Sequence, residues 1–205
     1  MTAPIAKGVQ FVPGFLDRKA QETLRDALRD IATEAPFYTP AMPRTGKPFS
    51  VKMTNCGPLG WVSDREGGYR YQATHPKTGR PWPPIPDMLM EAWETLSQYD
   101  AAPEACLINF YRAGTRMGLH QDSDEEDFAA PVVSLSLGDT GVFRIGGRDR
   151  KDPTRSVRLS SGDAIVLAGP ARLAYHGIDR IIPDTSSLLK DGGRINVTLR
   201  RVTRP

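Results

Sequence analysis

Two histidines and an aspartate have the residue types and the spacing of a metal site. His120 and Asp122 are separated by one residue, and in an extended segment the side chains at positions i and i+2 leave the same face of the chain. An imidazole and a carboxylate placed in this way can bind one ion. His176 follows much later, in a segment (172–178) whose apolar and polar residues predict another strand. We therefore treat these three side chains as candidate metal ligands.

Two histidines and one carboxylate leave three positions of an octahedral ion open, and this is the ligand set of non-haem Fe(II) oxygenases. The His-x-Asp triplet is weak evidence by itself, because chance places an acid two residues after many histidines. From the triplet alone, a solvated pair of side chains in a loop is the preferred explanation. The metal interpretation therefore depends on residues elsewhere in the chain.

The last strand-like segment, 194–200, supplies such residues because it alternates between an apolar and a polar face. The polar face consists of Arg194, Asn196, Thr198 and Arg200. The two arginines lie about 20 Å apart along a strand, and guanidinium groups bind carboxylates bidentately. Leaning toward each other, they could hold both ends of a 2-oxo diacid that also chelates the iron. A polar face that simply contacts solvent is the alternative.

Length and composition bound the class of protein. The 205 residues suit a single domain, and 39% hydrophobic with 25% charged residues is ordinary for a soluble globular chain. A net charge of +3 permits a polyanionic partner without requiring one. The two cysteines are far apart in sequence, and residues 1–10 contain no long apolar run. We expect a cytoplasmic protein with no disulfide and no membrane partner.

Periodicity predicts two helices followed by many strands. An amphipathic helix capped by Asp17 should end before Pro36, and a second should span 87–100. The residues between them, 37–86, are rich in proline and glycine and predict loops and hairpins. Strand-like segments follow at 105–111, 131–138, 142–145, 157–159, 163–168, 172–178 and 194–202. This order predicts an α+β fold, an antiparallel sandwich or jelly roll with helices against one face.

Two further segments have a functional and a structural interpretation. Trp61, Tyr69 and Tyr71 lie among lysines and arginines, and this interleaving suits stacking on a base with contacts to phosphates. From that segment alone, a small core filled by the rings is the preferred explanation. The acidic run 122–127 lacks the glycine and glutamate positions of an EF-hand calcium loop, so we expect it to be mostly a solvated loop.

The ordered set Asn109-x-Tyr111, His120-x-Asp122, His176 and Arg194-x-Asn196-x-x-x-Arg200 resembles the AlkB family of Fe(II)- and 2-oxoglutarate-dependent dioxygenases, which repair N-alkylated nucleic-acid bases. The resemblance is to the bacterial type, and it runs from about residue 8 to 201. It includes the segments 53–57, 59–61, 105–109, 119–122, 133–138 and 175–178. It implies one domain with a double-stranded β-helix (jelly roll) core at 103–202 and a nucleotide-recognition lid at 37–86.

The resemblance also implies a function for each candidate residue. Fe(II) would be bound by His120, Asp122 and His176, with O2 as the oxidant. The co-substrate 2-oxoglutarate would be bound by Asn109, Phe110, Tyr111, Arg194, Asn196 and Arg200, with Arg200 next to the keto end and counted with the metal ligands as catalytic. The nucleotide would be bound by Trp61, Tyr69, Tyr71, Asp124 and Arg150, with His176 on the other side of the stacked base. The resemblance thus reverses the interpretation of Trp61, from a residue that fills a core to one that binds the substrate.

The implied reaction converts 2-oxoglutarate to succinate and CO2 and hydroxylates an N-methyl carbon, which leaves as formaldehyde. The expected lesions are 1-methyladenine and 3-methylcytosine, because their alkylated edges cannot pair and the bases are easily flipped out. The partner would be alkylated single- or double-stranded DNA, with RNA as a further candidate, and the protein would be a monomer.

The chain departs from the family at Leu167, where the enterobacterial form has a tryptophan, and at Gly67-Gly68, which lengthens the lid. Two other functions remain open: a hydroxylase of a protein or small molecule, and a non-catalytic nucleic-acid-binding β-sandwich.

Overall fold

The computed structural model describes residues 5–205, and most of its strands belong to two antiparallel sheets. The helices are α1 (Arg18–Glu34) and α2 (Asp87–Ser97). The strands are β1 (Val9–Val12), β2 (Lys52–Cys56), β3 (Gly60–Asp64), β4 (Gly68–Gln72), β5 (Ala105–Tyr111), β6 (Met117–His120), β7 (Val132–Gly138), β8 (Thr140–Ile145), β9 (Arg155–Leu159), β10 (Ala164–Leu167), β11 (His176–Ile182) and β12 (Arg194–Arg200).

The larger sheet has six strands in the order β1-β10-β7-β12-β5-β2, and the smaller has four in the order β6-β11-β8-β9. One core cluster joins the two sheets, since it contains Tyr111 and Leu167 of the larger sheet with Phe143 and Ile178 of the smaller. The sheets therefore pack face to face, as in a jelly roll. The predicted α+β fold with a jelly-roll core is confirmed.

Both helices cover the outer face of the larger sheet. Leu24 of α1 and Trp93 of α2 share a second core cluster with Val197 and Leu199, which belong to the apolar face of β12. Asp17 caps α1 as predicted, because its carboxylate accepts the Ala20 N–H at 2.8 Å. The polar face of β12 must therefore point to the opposite side of the sheet, toward the space between the sheets.

Helix α2 is shorter than predicted. It ends at Ser97 rather than at residue 100, because Gln98 adopts a left-handed backbone with φ of 51°. A single residue in this conformation commonly terminates a helix.

The strand predicted at 172–178 is wrong in its first half, since β11 begins at His176 and continues to Ile182. A 3-10 helix, Gly169–Ala171, precedes it. The Arg172 N–H donates to the Gly169 carbonyl at 3.1 Å, and the Ala174 N–H donates to the Ala171 carbonyl at 3.0 Å. These short-range bonds continue the turn to residue 174, so the strand cannot begin at residue 172.

The aromatic residues between the helices divide into two groups. Tyr38 and Trp82 form a small core of their own with Ala35 and Val62. Trp61 and Tyr69 instead stack on each other in the β3–β4 hairpin, with ring centroids 5.6 Å apart and planes 21° apart. The rings for which a small core was the preferred explanation do not belong to this cluster, and Trp61 packs partly against the core between the two sheets.

Neither α1 nor α2, nor any other helical segment of residues 5–205, combines the length and the apolar composition that a bilayer span requires. Cys56 and Cys106 are buried, unpaired thiols that lie opposite each other on β2 and β5.

The packing of the helices on the larger sheet predicts a stability difference between two leucines. Leu135 on β7 is fully buried in the helix-side core, whereas Leu189 is half-buried at the rim of the same cluster. Leu135→Ala should lower the free energy of unfolding by about 2–5 kcal/mol, because a central cavity cannot collapse. Leu189→Ala should lower the free energy of unfolding by clearly less, because Leu189 is only half-buried. Urea denaturation followed by circular dichroism measures both values, and equal losses would contradict this assignment of the core.

Candidate active site

A cavity of about 530 Å³ lies between the two sheets, with the β3–β4 hairpin at its mouth. Its floor includes the polar face of β12, which consists of Arg194, Asn196, Thr198 and Arg200. These residues are buried or half-buried, so the polar face does not contact solvent freely. The apolar part of the lining includes Leu107, Phe143, Ile165 and Leu167.

The three candidate metal ligands converge at one side of this cavity. His120 ends β6 and His176 begins β11, and the register of these strands makes the two histidines direct cross-strand partners. Asp122 lies two residues beyond the end of β6, in the loop that follows. The ligand atoms of all three side chains lie within 4.8 Å of one another. The predicted convergence of these side chains is confirmed.

Hydrogen bonds aim both imidazoles at the same point. Nδ1 of His120 lies 3.0 Å from the Gly118 carbonyl, and Nδ1 of His176 lies 2.9 Å from the Ala174 carbonyl. A carbonyl can only accept, so each Nδ1 is protonated and each Nε2 has a free lone pair. The two Nε2 atoms lie 3.8 and 3.7 Å from the Asp122 carboxylate. This donor set, with Nε2 atoms and a carboxylate facing one space, fits a divalent ion such as Fe(II).

The electrostatics keep Asp122 and His176 in the forms that bind metal. Burial alone would raise the pKa of Asp122, but Arg200, at 2.9 Å, and the two histidines lower it below its usual value. Burial, together with His120, lowers the pKa of His176 to about 4. Asp122 is therefore ionised and His176 neutral near pH 7. The Oδ2 atom of Asp122 is buried without a hydrogen-bond partner, which leaves a carboxylate oxygen for a cation.

The third histidine of the chain takes no part in this site. His75 is buried beside the small core, with its ring centroid 5.3 Å from that of Tyr38 and 5.1 Å from that of Trp82. Its Nε2 atom lies 2.8 Å from the Pro36 carbonyl, and it does not line the cavity. We therefore assign it a structural function.

Arg194 is a buried cation without a carboxylate partner. It is fully buried and donates to Ser136 Oγ at 2.8 Å and to the Leu159 carbonyl at 3.2 Å, while its Nε atom has no partner. Within residues 5–205 it forms no salt bridge. Burial lowers its pKa to about 10, which still leaves it charged at neutral pH. A buried, unpaired guanidinium is costly, so this end of the cavity fits an anionic group of a ligand.

Arg200, at the other end of β12, has partners of its own. It lies 2.9 Å from Asp122 Oδ1 and 3.4 Å from Glu125. Burial alone would lower the pKa of Arg200, but the negative charge of Asp122 raises this pKa above its usual value. The two arginines of β12 therefore differ. Arg194 has no carboxylate partner, whereas Arg200 is paired with the metal ligand Asp122.

The other co-substrate candidates lie on both faces of the sheet. Asn109 and Tyr111 line the cavity beside β12, and Asn196 lines it as well. Asn109 has an unpaired buried Oδ1, and Tyr111 lies opposite Arg194 in the strand register. Phe110 points to the helix side, where it packs against the core, so its side chain does not reach the cavity.

Four of the five substrate candidates line the cavity: Trp61, Tyr69, Asp124 and Arg150. Asn55 positions Trp61 by bonding its main-chain N–H and C=O, each at 3.0 Å. The Trp61 indole N–H donates to Asp124 Oδ2 at 2.7 Å, which joins the hairpin to the loop after β6. The Arg150 guanidinium lies 5.7 Å from the centre of the Tyr175 ring, at the mouth of the cavity.

Tyr71 does not line the cavity. Its hydroxyl donates to Glu125, and burial, followed by the charge of Glu125, raises the pKa of Tyr71 well above its usual value. The hairpin is therefore attached to the loop after β6 at two points, through Trp61 to Asp124 and through Tyr71 to Glu125.

The expectation of a mostly solvated acidic loop is wrong at two further positions. Glu125 and Asp127 are buried, at 5% exposure each. Glu125 accepts from Tyr71 and from Arg172, and Asp127 accepts from the Tyr99 hydroxyl at 2.6 Å. Glu125 has no local sequence signal, because Arg172 and Tyr71 are 47 and 54 residues away along the chain.

The depressed pKa of His176 predicts how the stability of the metal-free protein depends on pH. The unfolded chain takes up this proton near pH 6.5, and the folded chain only near pH 4. Between these values the unfolded state binds more protons, so stability falls as the pH is lowered through this window. The contribution of Asp122 is lost at lower pH, below its ordinary pKa of 3.8. Urea denaturation with a chelator present should show a flatter dependence for His176→Gln, and identical slopes would contradict the assignment.

Comparisons with known proteins agree with this geometry. A model of the 2OG-Fe(II) oxygenase superfamily matches residues 8–200. An alpha-ketoglutarate-dependent dioxygenase AlkB homolog of Caulobacter vibrioides is 57% identical over 205 residues, covering 96% of this chain and 91% of the relative. The alpha-ketoglutarate-dependent dioxygenase AlkB of Escherichia coli is 41% identical over 202 residues, covering 97% and 92%.

A solved structure, that of OsALKBH1, superposes on the fold with a TM-score of 0.79 at 30% identity, covering 97% of this chain and all of the other. The family model and both relatives extend over nearly the whole chain, and the metal triad lies within the matched residues. The chain therefore belongs to the 2OG-Fe(II) oxygenase superfamily and, within it, to the AlkB family of dioxygenases, which use Fe(II), 2-oxoglutarate and O2.

Proposed function

We propose that the protein demethylates N-alkylated bases of nucleic acids, with 1-methyladenine and 3-methylcytosine as its substrates. The reaction consumes O2 and 2-oxoglutarate and releases formaldehyde, succinate and CO2. The observation that carries this proposal is the joint position of Trp61, Tyr69 and Asp124 at the mouth of the cavity that the metal ligands line. In this proposal residues 37–86 serve as a nucleotide-recognition lid and residues 103–202 as the dioxygenase core.

Arg194 binds the distal carboxylate of 2-oxoglutarate, supported by its burial without a carboxylate partner. Tyr111 and Asn109 lie next to it on β5 and complete the polar end of the co-substrate site. Arg200 faces the carboxylate beside the keto group while it holds Asp122 in place. The metal triad would hold Fe(II), which would supply the activation of O2 needed to oxidise 2-oxoglutarate and to hydroxylate the methyl carbon.

The apolar side chains around the metal ligands exclude water from the reacting atoms. Leu107, Phe143, Ile165 and Leu167 are all at least nine-tenths buried and line the cavity. Leu167 limits the space available to an alkyl group, so its size influences which adducts fit. The hydroxylated methyl group then leaves as formaldehyde and restores the Watson–Crick edge.

The hairpin recognises the flipped base. The Trp61 ring stacks on the base, and the indole N–H holds the Asp124 carboxylate beside it as an acceptor for the exocyclic amino group. A methylated adenine or cytosine ring is cationic, so a carboxylate and aromatic faces stabilise it more than the unmodified base. Arg150 and Arg116 are exposed at the mouth, where their charges suit the flanking phosphates.

We also propose that the protein is a monomer and functions in the reducing environment of the cytoplasm. The buried thiols of Cys56 and Cys106 are unpaired although they face each other on neighbouring strands. Within residues 5–205, the large apolar side chains that are exposed are Met42, Tyr69 and Phe128, and the first two belong to the cavity mouth. This leaves little apolar surface for a subunit contact.

Repair of a defined oligonucleotide tests the proposed function. Protein loaded anaerobically with Fe(II) should, once given 2-oxoglutarate and O2, release formaldehyde from a 1-methyladenine oligonucleotide and restore adenine, as measured by mass spectrometry. His120→Ala and Asp122→Ala should abolish turnover, because each removes a metal ligand. Single-stranded DNA, duplex DNA and RNA carrying the same lesion compare the substrate classes. Succinate formation with no repaired base on any of them would refute dealkylation while leaving the cofactor assignment intact.

Substitution of Trp61 tests the stacking surface separately. Stacking of a base on an aromatic ring is worth about 1–3 kcal/mol, so Trp61→Leu should weaken oligonucleotide binding by roughly 5- to 150-fold. Trp61→Phe retains a ring and should lose less. Affinity for 2-oxoglutarate, measured in the same samples by titration, should not change, because Trp61 belongs to the hairpin at the mouth and Arg194 to the floor. Oligonucleotide affinity that is equal in all three proteins would rule out a base stacked on this ring.

A further inference from the structure

One buried guanidinium group holds the whole loop that follows the first two metal ligands. Arg172 is 2% exposed and donates to three residues of the loop 122–130. Nη1 donates to the Asp122 carbonyl at 2.7 Å, Nη2 to Glu125 Oε2 at 3.1 Å, and Nε to the Ala130 carbonyl at 2.8 Å. The beginning, the middle and the end of the loop are therefore fixed to one side chain.

Arg172 is also close in sequence to His176, the third metal ligand. Arg172 precedes His176 by four residues, in the turn between the 3-10 helix and β11. Next to it, the Leu173 carbonyl accepts from Gln121 Nε2 at 2.6 Å, and Gln121 lies between the two other ligands. Two adjacent residues thus connect the segment of the first two ligands with the segment of His176. The loop has no regular secondary structure after β6, so these bonds determine where the Asp122 backbone lies.

The pair formed by Arg172 and Glu125 is enclosed by protein. Their side chains are 3% and 2% exposed, and the Arg172 guanidinium carbon lies 5.4 Å from the centre of the Phe128 ring. A planar guanidinium can donate in three directions at once, whereas a lysine ammonium is a point charge on a flexible chain. The three acceptors around Arg172 therefore require the geometry of a guanidinium group, which a lysine of the same charge does not provide.

We propose that Arg172 is a positioning residue for the metal site: it sets the affinity for the metal ion by holding the Asp122 loop against the segment that contains His176. Arg172 does not line the cavity, so it acts through the Asp122 backbone and not on the ligands directly. The inference depends on the metal triad and is independent of the proposed nucleic-acid substrate.

Metal affinity measured without co-substrate or nucleic acid tests this proposal. Arg172→Lys should weaken Mn(II) binding, followed by electron paramagnetic resonance, by about 10- to 100-fold, the usual effect of losing a residue that orients metal ligands. Arg180→Lys is the matched control, because Arg180 is exposed on β11 four residues after His176. Its Mn(II) affinity should equal that of the wild type. Thermal unfolding of the metal-free proteins shows whether each variant is folded at the temperature of the titration.

A double variant covers the case in which Arg172→Lys does not fold. Arg172→Met with Glu125→Gln removes both charges of the buried pair together and keeps an acceptor for the Tyr71 hydroxyl. Its Mn(II) affinity should fall below that of Glu125→Gln alone, because only the double variant removes the donor of the Asp122 carbonyl, whereas both variants alter the 3.4 Å contact of Glu125 with Arg200. Wild-type Mn(II) affinity in a folded variant, even one that melts at a lower temperature, would overturn the proposal. Weakened Mn(II) binding in these variants, combined with no base repair by the wild type, would overturn only the proposed function.

Discussion

The structure depends on the burial of charged groups between two sheets. Asp122 and Glu125 lie in the same buried region as Arg172 and Arg200, and each carboxylate lies next to a guanidinium. Such charges are stable inside a protein only when they are paired and hydrogen-bonded. The fold satisfies this condition at one end of the cavity and leaves Arg194 unpaired at the other. The same region therefore contains an ordered carboxylate that fits a metal ion and a buried guanidinium that has no carboxylate partner.

Sheet geometry explains why these groups can be buried at all. Strand β12 is the fourth of six strands and is covered by helices on one side, so its polar face can only point toward the smaller sheet. The cross-strand register then places His176 opposite His120, and each imidazole bonds the carbonyl two residues before it. The same local hydrogen bond, present in both histidines, orients both Nε2 atoms toward Asp122.

The β3–β4 hairpin is joined to the loop after β6 by side chains and not by main-chain pairing. Trp61 donates to Asp124 and Tyr71 donates to Glu125, so the hairpin is held over the mouth by two carboxylates that follow the metal ligand Asp122 in the same loop. Glu125 also accepts from the guanidinium that holds this loop in place. The hairpin and the loop that contains the metal carboxylate therefore share one set of hydrogen bonds.

Much of this architecture follows from the sequence by itself. Periodicity determined both helices, the cap at Asp17 and the alternation of β12, because these depend on neighbouring residues along the chain. The His-x-Asp spacing and the polar face with Arg194 and Arg200 indicated the chemistry, and the alternation of β5 also implies that Phe110 points away from its two polar neighbours. Only the tertiary structure decided that Glu125 and Asp127 are buried, that β11 begins at His176, and that the two arginines of β12 differ in their partners. The start of β11 follows from the turn that precedes it, whereas the buried charges depend on distant contacts, such as Glu125 with Arg172 or Asp122 with Arg200. No local pattern specifies which distant side chain will neutralise a buried charge.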